Sequence, residues 1–445
     1  MKARRTSAPP TSPRPSSTAA STASCCRGVG GRVPETHRGL VGHRGSSVVT
    51  SCRGLRWLAT GLALLLGTGL AGCVRPEQPQ REVIQLTFPL RGQAFDYLSP
   101  DCWSYDSRIV FYTRERSPTG SVIRAARVTG QGLRIGSGHS VAAARSSLRL
   151  LFRGGDGLTI CDLAGGVRCS MFVAGEYEDP TWSHDDRWIA CRLGARLAVA
   201  SASGGEPRIV DKGLVLDEKR ARPIIWAPGA PRVAYLVSDA SSKGRAAVRV
   251  YDAESNKTRS LGIARRGASL CWVTSALVAY VKPSEEARRV SDVVCQDVVS
   301  GSTASTGASV ASFSELSLTG SPAARLLALE GRIAWNDAGS AEAPESAIWL
   351  LDVHEMKVSG RVEGASAAWA NTRAAIAFVR AQGQPGIYLA EHPTWEPKLV
   401  ARAPGAEMLV WSPDDRWIAF MRTNRAQAQA ISDVYSEIWL VRIAR

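Results

Sequence analysis

The sequence predicts an all-β fold, a β-propeller of about eight four-stranded blades with seven as the alternative, and three features predict it. A unit recurs along the chain at intervals of 39 to 51 residues, the length that a four-stranded blade needs. Each copy alternates short β-forming runs with turn residues. The 41 Gly and 23 Pro of the 445 residues suit many tight turns better than long helices, and 44% hydrophobic residues allow a large core.

The clearest copies are Trp182-Ser-His-Asp-Asp-Arg-Trp-Ile-Ala-Cys191 and Trp411-Ser-Pro-Asp-Asp-Arg-Trp-Ile-Ala-Phe420, identical at eight of ten positions. Related copies begin at Trp103, Trp226, Trp272 and Trp369, and two degenerate copies without Trp begin near Ala143 and Leu318. Within a unit, an apolar strand ends at Trp-Ser and a turn follows that uses Pro, Asp, Asn or Gly. A second strand reads as Arg-(Trp/Ile/Val)-Ile-Ala-Phe, a third resembles Ile348-Trp-Leu-Leu-Asp352, and a fourth is of the kind of Pro207-Arg-Ile-Val210. The order is a meander.

The two ends of the repeat region are complementary. The chain stops after a third strand, Glu437 to Ile443, while an unassigned strand, Glu82 to Phe88, precedes the first unit. If the early segment supplies the missing fourth strand, the ring is latched and leaves no naked edge.

Upstream, residues 1–52 are rich in Ser, Thr, Pro and Arg without apolar periodicity and are expected to be disordered, with translation beginning near Val48 or Val49. Residues 53–72 read as an export signal: Arg53 and Arg56 precede an apolar run of about 16 residues, too short for a spanning helix. The run ends in Leu70-Ala71-Gly72-Cys73, which resembles the lipobox of bacterial lipoproteins. That resemblance implies a lipid anchor on Cys73, recognition through Leu70, Ala71 and Gly72, and a location on a cell or outer membrane facing the periplasm or exterior. A polar tether, 73–81, then leads to the propeller, 82–445.

The Trp-Ser, Asp and Ile-Ala-Phe pattern resembles the TolB-like propeller repeats, which are WD40-like, over about residues 100 to 445. The glycine that commonly follows the aspartate in that family is replaced here, as by Asp186 and Asp415. A group that recurs in nearly every blade serves packing, so the repeated Trp residues are read as inter-blade contacts and Asp106, Asp185 and Asp414 as turn caps.

Charge and motifs narrow the function. The net charge of +15 is concentrated in residues 1 to 73, which hold ten Lys or Arg against Glu35 alone; the remainder has 45 basic and 39 acidic residues and no basic cluster interleaved with aromatics. Nucleic acid is therefore not expected as a partner. No HExxH, GxSxG or phosphate-binding glycine loop occurs, and the chain leaves no room for a hydrolase domain after the last blade. No metal, cofactor or catalytic residue is expected. Cys161 and Cys169 flank a Gly turn symmetrically and are candidates for a disulfide.

Loop lengths point to one face. Connections between second and third strands include long excursions at 238–247, 282–292, 330–346 and 423–436, and the segments leading into first strands meet them. Asp96, Tyr97, Glu178, Arg220, Glu363 and Glu407 are the candidate binding residues of this mixed-charge mouth. The expectation is a non-enzymatic interaction propeller that binds an envelope protein or polymer. An envelope carbohydrate-binding or lyase-like propeller is the alternative.

Overall fold

A computed structural model describes residues 82–443, apart from 90–94, 117–119, 216–223, 239–243, 284–290, 311–315, 332, 336–346 and 425–433. The expected signal, the lipobox, Cys73 and the tether lie outside the described residues. The described residues form one compact unit.

Eight antiparallel units follow one another in meander order, each four-stranded except the fifth, to whose edge Ile333–Trp335 adds a strand, while the eighth takes its fourth strand from the start of the described chain. Their first strands are Phe95–Trp103, His139–Ala143, Tyr177–Trp182, Ile224–Trp226, Leu270–Trp272, Ser317–Gly320, Ala365–Trp369 and Ala406–Trp411. Eight apolar clusters each join two successive blades, and one of them joins Ile438 and Leu440 of blade 8 to Leu98 and Val110 of blade 1. The core is thus a closed circle of eight interfaces, which decides between eight blades and seven.

The closure is the latch that the two ends predict. Val83–Gln85 pairs antiparallel with the last strand, Val83 opposite Val441 and Gln85 opposite Trp439. Leu86 and Thr87 extend the contact through amide bonds to the Ile438 carbonyl at 2.8 and 3.2 Å, and both are buried. Blade 8 therefore takes three strands from one end of the ring and one from the other.

Each Trp of the repeat does the same thing. The indole N–H of Trp103, Trp182, Trp226, Trp272, Trp369 and Trp411 donates to a first-strand carbonyl of the preceding blade, at 2.9 to 3.2 Å. Packing of the ring with its one polar atom satisfied is what a buried indole needs. The sixth unit begins two residues later than the sequence predicts: Gly320, not Leu318, occupies the Trp position, and Trp369 bonds to Thr319 just before it. A Cβ on Gly320 would stand 2.0 Å from the Trp272 carbonyl oxygen, so this interface closes by backbone approach where six others use an indole and blade 2 has Ala143.

The turns after the first strands are built alike. In blades 1, 3 and 8, Ser104, Ser183 and Ser412 donate to Asp106, Asp185 and Asp414 at 2.5 to 2.7 Å, and the carboxylates accept from Arg108, Arg187 and Arg416 amides. The residue after each Asp sits at left-handed φ: Ser107 at 60°, Asp186 and Asp415 at 56°. There the carboxylates reach the preceding blade. Asp186 accepts from the Arg145 and Ser146 amides, and Asp415 from those of Asn371 and Thr372, all at 2.7 to 2.8 Å. An aspartate tolerates left-handed backbone and can clasp a neighbouring turn.

In blade 2, Cys161 and Cys169 are directly opposed across the third and fourth strands and form a disulfide, with Cα atoms 4.0 Å apart.

Candidate functional site

The first-to-second and third-to-fourth strand turns form one face of the ring, the turn face. The upstream ends of the first strands and the second-to-third connections form the other, the mouth. At the mouth, among the described residues, four first strands carry the same irregularity. Their pairing slips between His139 and Ala142, Glu178 and Thr181, Ala365 and Ala368, and Glu407 and Val410. Each bulge holds one left-handed residue: Ser140 at 56°, Asp179 at 49°, Ser366 at 58° and Met408 at 56°. Bulges of this kind re-aim side chains and amides, and are frequent beside binding sites.

The candidate residues fare differently. Asp96 is fully buried; Arg114 donates to both its oxygens, at 2.6 and 2.7 Å, and the Ser436 hydroxyl donates to its carbonyl. The hydrogen bond to Asp96 raises the Arg114 pKa against the opposing effect of burial. Asp96 is therefore a structural partner at the seam of blades 1 and 8 and has no reach into solvent. Glu178 and Asp179 both pair with Arg192. Glu407 accepts the Thr423 hydroxyl, while Glu363 is exposed and its carbonyl accepts from Arg380 at 3.0 Å. Arg220 lies outside the described residues, as do the middles of the four long excursions. Among the described residues, the carboxylates of Asp96, Glu178, Asp179 and Glu407 are engaged within the chain, and a sequence has no means of showing that.

Tyr97 is among the exposed candidates. Its ring is 41% exposed, lies 6.2 Å from that of Phe95 in a stacked arrangement, and lines a cleft of about 450 Å³ between blades 1 and 2. Ser99, Thr113, Glu115, Ser121 and His139 supply the polar walls, and the bulge residues Ser140 and Val141 complete it. His139 and the bulge went unmarked in the sequence because the second copy of the repeat is degenerate. A single histidine before an Ala-rich strand carries no pattern.

A second cleft, about 370 Å³, opens on the turn face between blades 6 and 7, beside Arg325, Asp352, His354 and His392. Asp352 is engaged there by the His354 and Glu355 amides. Among the described residues no group of three or more metal-ligating side chains occurs. Burial pushes the thiols of Cys191 and Cys295 up to about 12 and raises that of Cys271, so none of the three is poised as a nucleophile.

No protein family profile matches the sequence, and no curated protein matches it. Solved structures do. An oligogalacturonate lyase in complex with manganese aligns over 82% of this chain and 98% of its own, with TM-score 0.48 and 12% identity. A second such lyase, from Vibrio parahaemolyticus, aligns over 82% of this chain and 99% of its own, at TM-score 0.46 and 8% identity. Porphyromonas gingivalis dipeptidyl peptidase 4 aligns over 76% of this chain at TM-score 0.53 and 10% identity, and this chain spans 57% of its length. The likeness is one of fold, a β-propeller. It corrects the expectation of a non-enzymatic interaction module: propellers of this kind serve in enzymes, so the lack of familiar nucleophile motifs was no ground for excluding an activity.

Proposed function

We propose that this chain is a glycan-binding propeller of the bacterial envelope, held at a membrane by a lipid on Cys73, with the cleft between blades 1 and 2 as its sugar site. The observation that carries this reading is the composition of that cleft. An exposed tyrosine ring offers a flat apolar surface, and hydroxyl, carboxylate and imidazole groups stand around it. Sugars present an apolar ring face edged with hydroxyls, so an aromatic platform with convergent polar groups is what they require. The lipobox-like Leu70-Ala71-Gly72-Cys73 and the TolB-like character of the repeats support the envelope setting. His139 and Glu115 also give the cleft groups of the kinds that transfer protons, so cleavage belongs to the same reading as binding.

The test is titration of the purified chain with envelope oligosaccharides, reading binding by calorimetry and shortening by chromatography. Tyr97→Ala should weaken binding by about tenfold, the worth of one aromatic contact, without changing the melting temperature. Unaltered affinity would remove the cleft from consideration.

A further inference from the structure

In blade 7 the bulge of the first strand is already occupied. Glu330, the last residue of the second strand of blade 6 (Leu326–Glu330), reaches across the gap between the blades. Its two carboxylate oxygens accept from the amides of Ser366 and Ala367, at 3.0 and 3.1 Å. The left-handed Ser366 turns two successive N–H groups toward the same point, which makes the bulge a two-pronged holder for a carboxylate.

Blade 2 carries the same bulge. His139 and Ala142 bracket it as Ala365 and Ala368 do in blade 7, and Ser140 matches Ser366 in φ within 2°. What differs is the residue that faces it. The amides of Ser104 and Ser321 close their hairpins on the carbonyls of Ile109 and Leu326; four residues beyond these acceptors stand Thr113 in blade 1 and Glu330 in blade 6. Threonine is too short to fill the place of a glutamate, and the space it leaves is the cleft, lined by Thr113, Ser140 and Val141.

The other two bulges do not repeat this arrangement. In blade 3 the second residue is Pro180, which has no N–H, and the carboxylates beside it are bound to Arg192. In blade 8 the place of Thr113 and Glu330 is taken by Val379, four residues beyond the Ala375 carbonyl on which the Ala370 amide closes its hairpin, and Val379 packs against the apolar cluster between blades 7 and 8.

We propose that the Ser140–Val141 amide pair holds a carboxylate of the ligand, so that the glycan taken into the cleft is an acidic one, built with uronic or other carboxylate-bearing sugars. This rests on the glycan reading above and narrows it. The sugar carboxylate takes the place that Glu330 takes in blade 7. The ring then lies toward Tyr97, and Glu115, two residues beyond Thr113 on the same side of the strand, accepts from sugar hydroxyls.

The experiment compares trimers of galacturonic and glucuronic acid with their methyl esters, titrated into the full chain purified in detergent. Charge-assisted bonds to two amides should favour the acid over the ester by at least about tenfold. Thr113→Glu plants in blade 1 the side chain that blade 6 carries; it should abolish binding of the acid while leaving melting unchanged or raised. Should that variant not fold, Val141→Pro copies what blade 3 tolerates at Pro180 and should remove the preference for acid over ester. Equal binding of acid and ester, or full preference retained in both variants, overturns the carboxylate subsite and leaves the glycan reading standing. Binding of neither form overturns both.

Discussion

On the turn face of the ring, the same atoms recur in blades 1, 3 and 8: a serine hydroxyl on an aspartate, an arginine amide on that aspartate, and, in blades 3 and 8, a left-handed residue that clasps the preceding blade. At the mouth the same backbone bulge recurs, but each blade fills it differently. Blade 7 receives a glutamate from its neighbour, blade 3 uses proline and an arginine pair, blade 8 is faced by the apolar Val379, and blade 2 opens into a cleft. The difference teaches where selection for the ring ends. Residues that hold blades together must match their neighbours and so repeat, whereas a binding site needs one blade to depart from the rest.

The latch sets the strongest test of that division, since it belongs wholly to the ring. Removal of residues 82–88 takes the fourth strand from blade 8, strips Leu86 from the core and exposes the edge of Ser436–Arg442. The expected loss is about 5 kcal/mol, summed from one large core side chain and several ladder hydrogen bonds, and scanning calorimetry should show the whole ring melting earlier in one transition. Melting at the original temperature would mean that the ring closes without it.

A smaller effect sharpens the contrast between the faces. Asp186→Ala leaves the Arg145 and Ser146 amides without their acceptor and puts a Cβ residue with no side-chain compensation at left-handed φ; it should lower stability by about 2 kcal/mol. Asp186→Gly keeps the backbone at ease and so isolates the clasp. If denaturant midpoints stay put in both, the turn face is not what couples blades 2 and 3.

The smallest effect is one of pH. Asp297 caps the third-to-fourth strand turn of blade 5; the Ser300 amide, opposed by partial burial and helped by the Val299 amide, holds its carboxyl below the usual range. A depressed folded pKa contributes stability that is present above the unfolded value, roughly 3.9, and is lost as pH falls through the folded one. Solvent screening at this turn limits it to a few tenths of a kcal/mol. Urea midpoints at about pH 5 and about pH 3 should therefore fall slightly more in the wild type than in Asp297→Asn; an identical fall would show that the cap carries no charge-dependent stability.

Local sequence determined the repeat, the turn chemistry and the packing role of the tryptophans, because each is written in residues that lie within about ten positions of one another. It determined the latch as well, since an unpaired strand at each end of the repeat leaves one economical way to close. The blade number required the circle of eight interfaces, and the sixth blade was misplaced by two residues because its key position is a glycine, which reads as nothing until Trp272 is seen against it. The candidate site was only partly legible. Tyr97 was named, whereas Asp96 proved to be spent on Arg114, and His139, Ser140 and Thr113 passed unnoticed. Whether a carboxylate at the mouth is free or satisfied depends on which arginine, hydroxyl or amide of a neighbouring strand or blade lies opposite. That pairing spans residues such as Glu330 and Ser366, 36 apart in the chain, and only the closing of the ring brings them together.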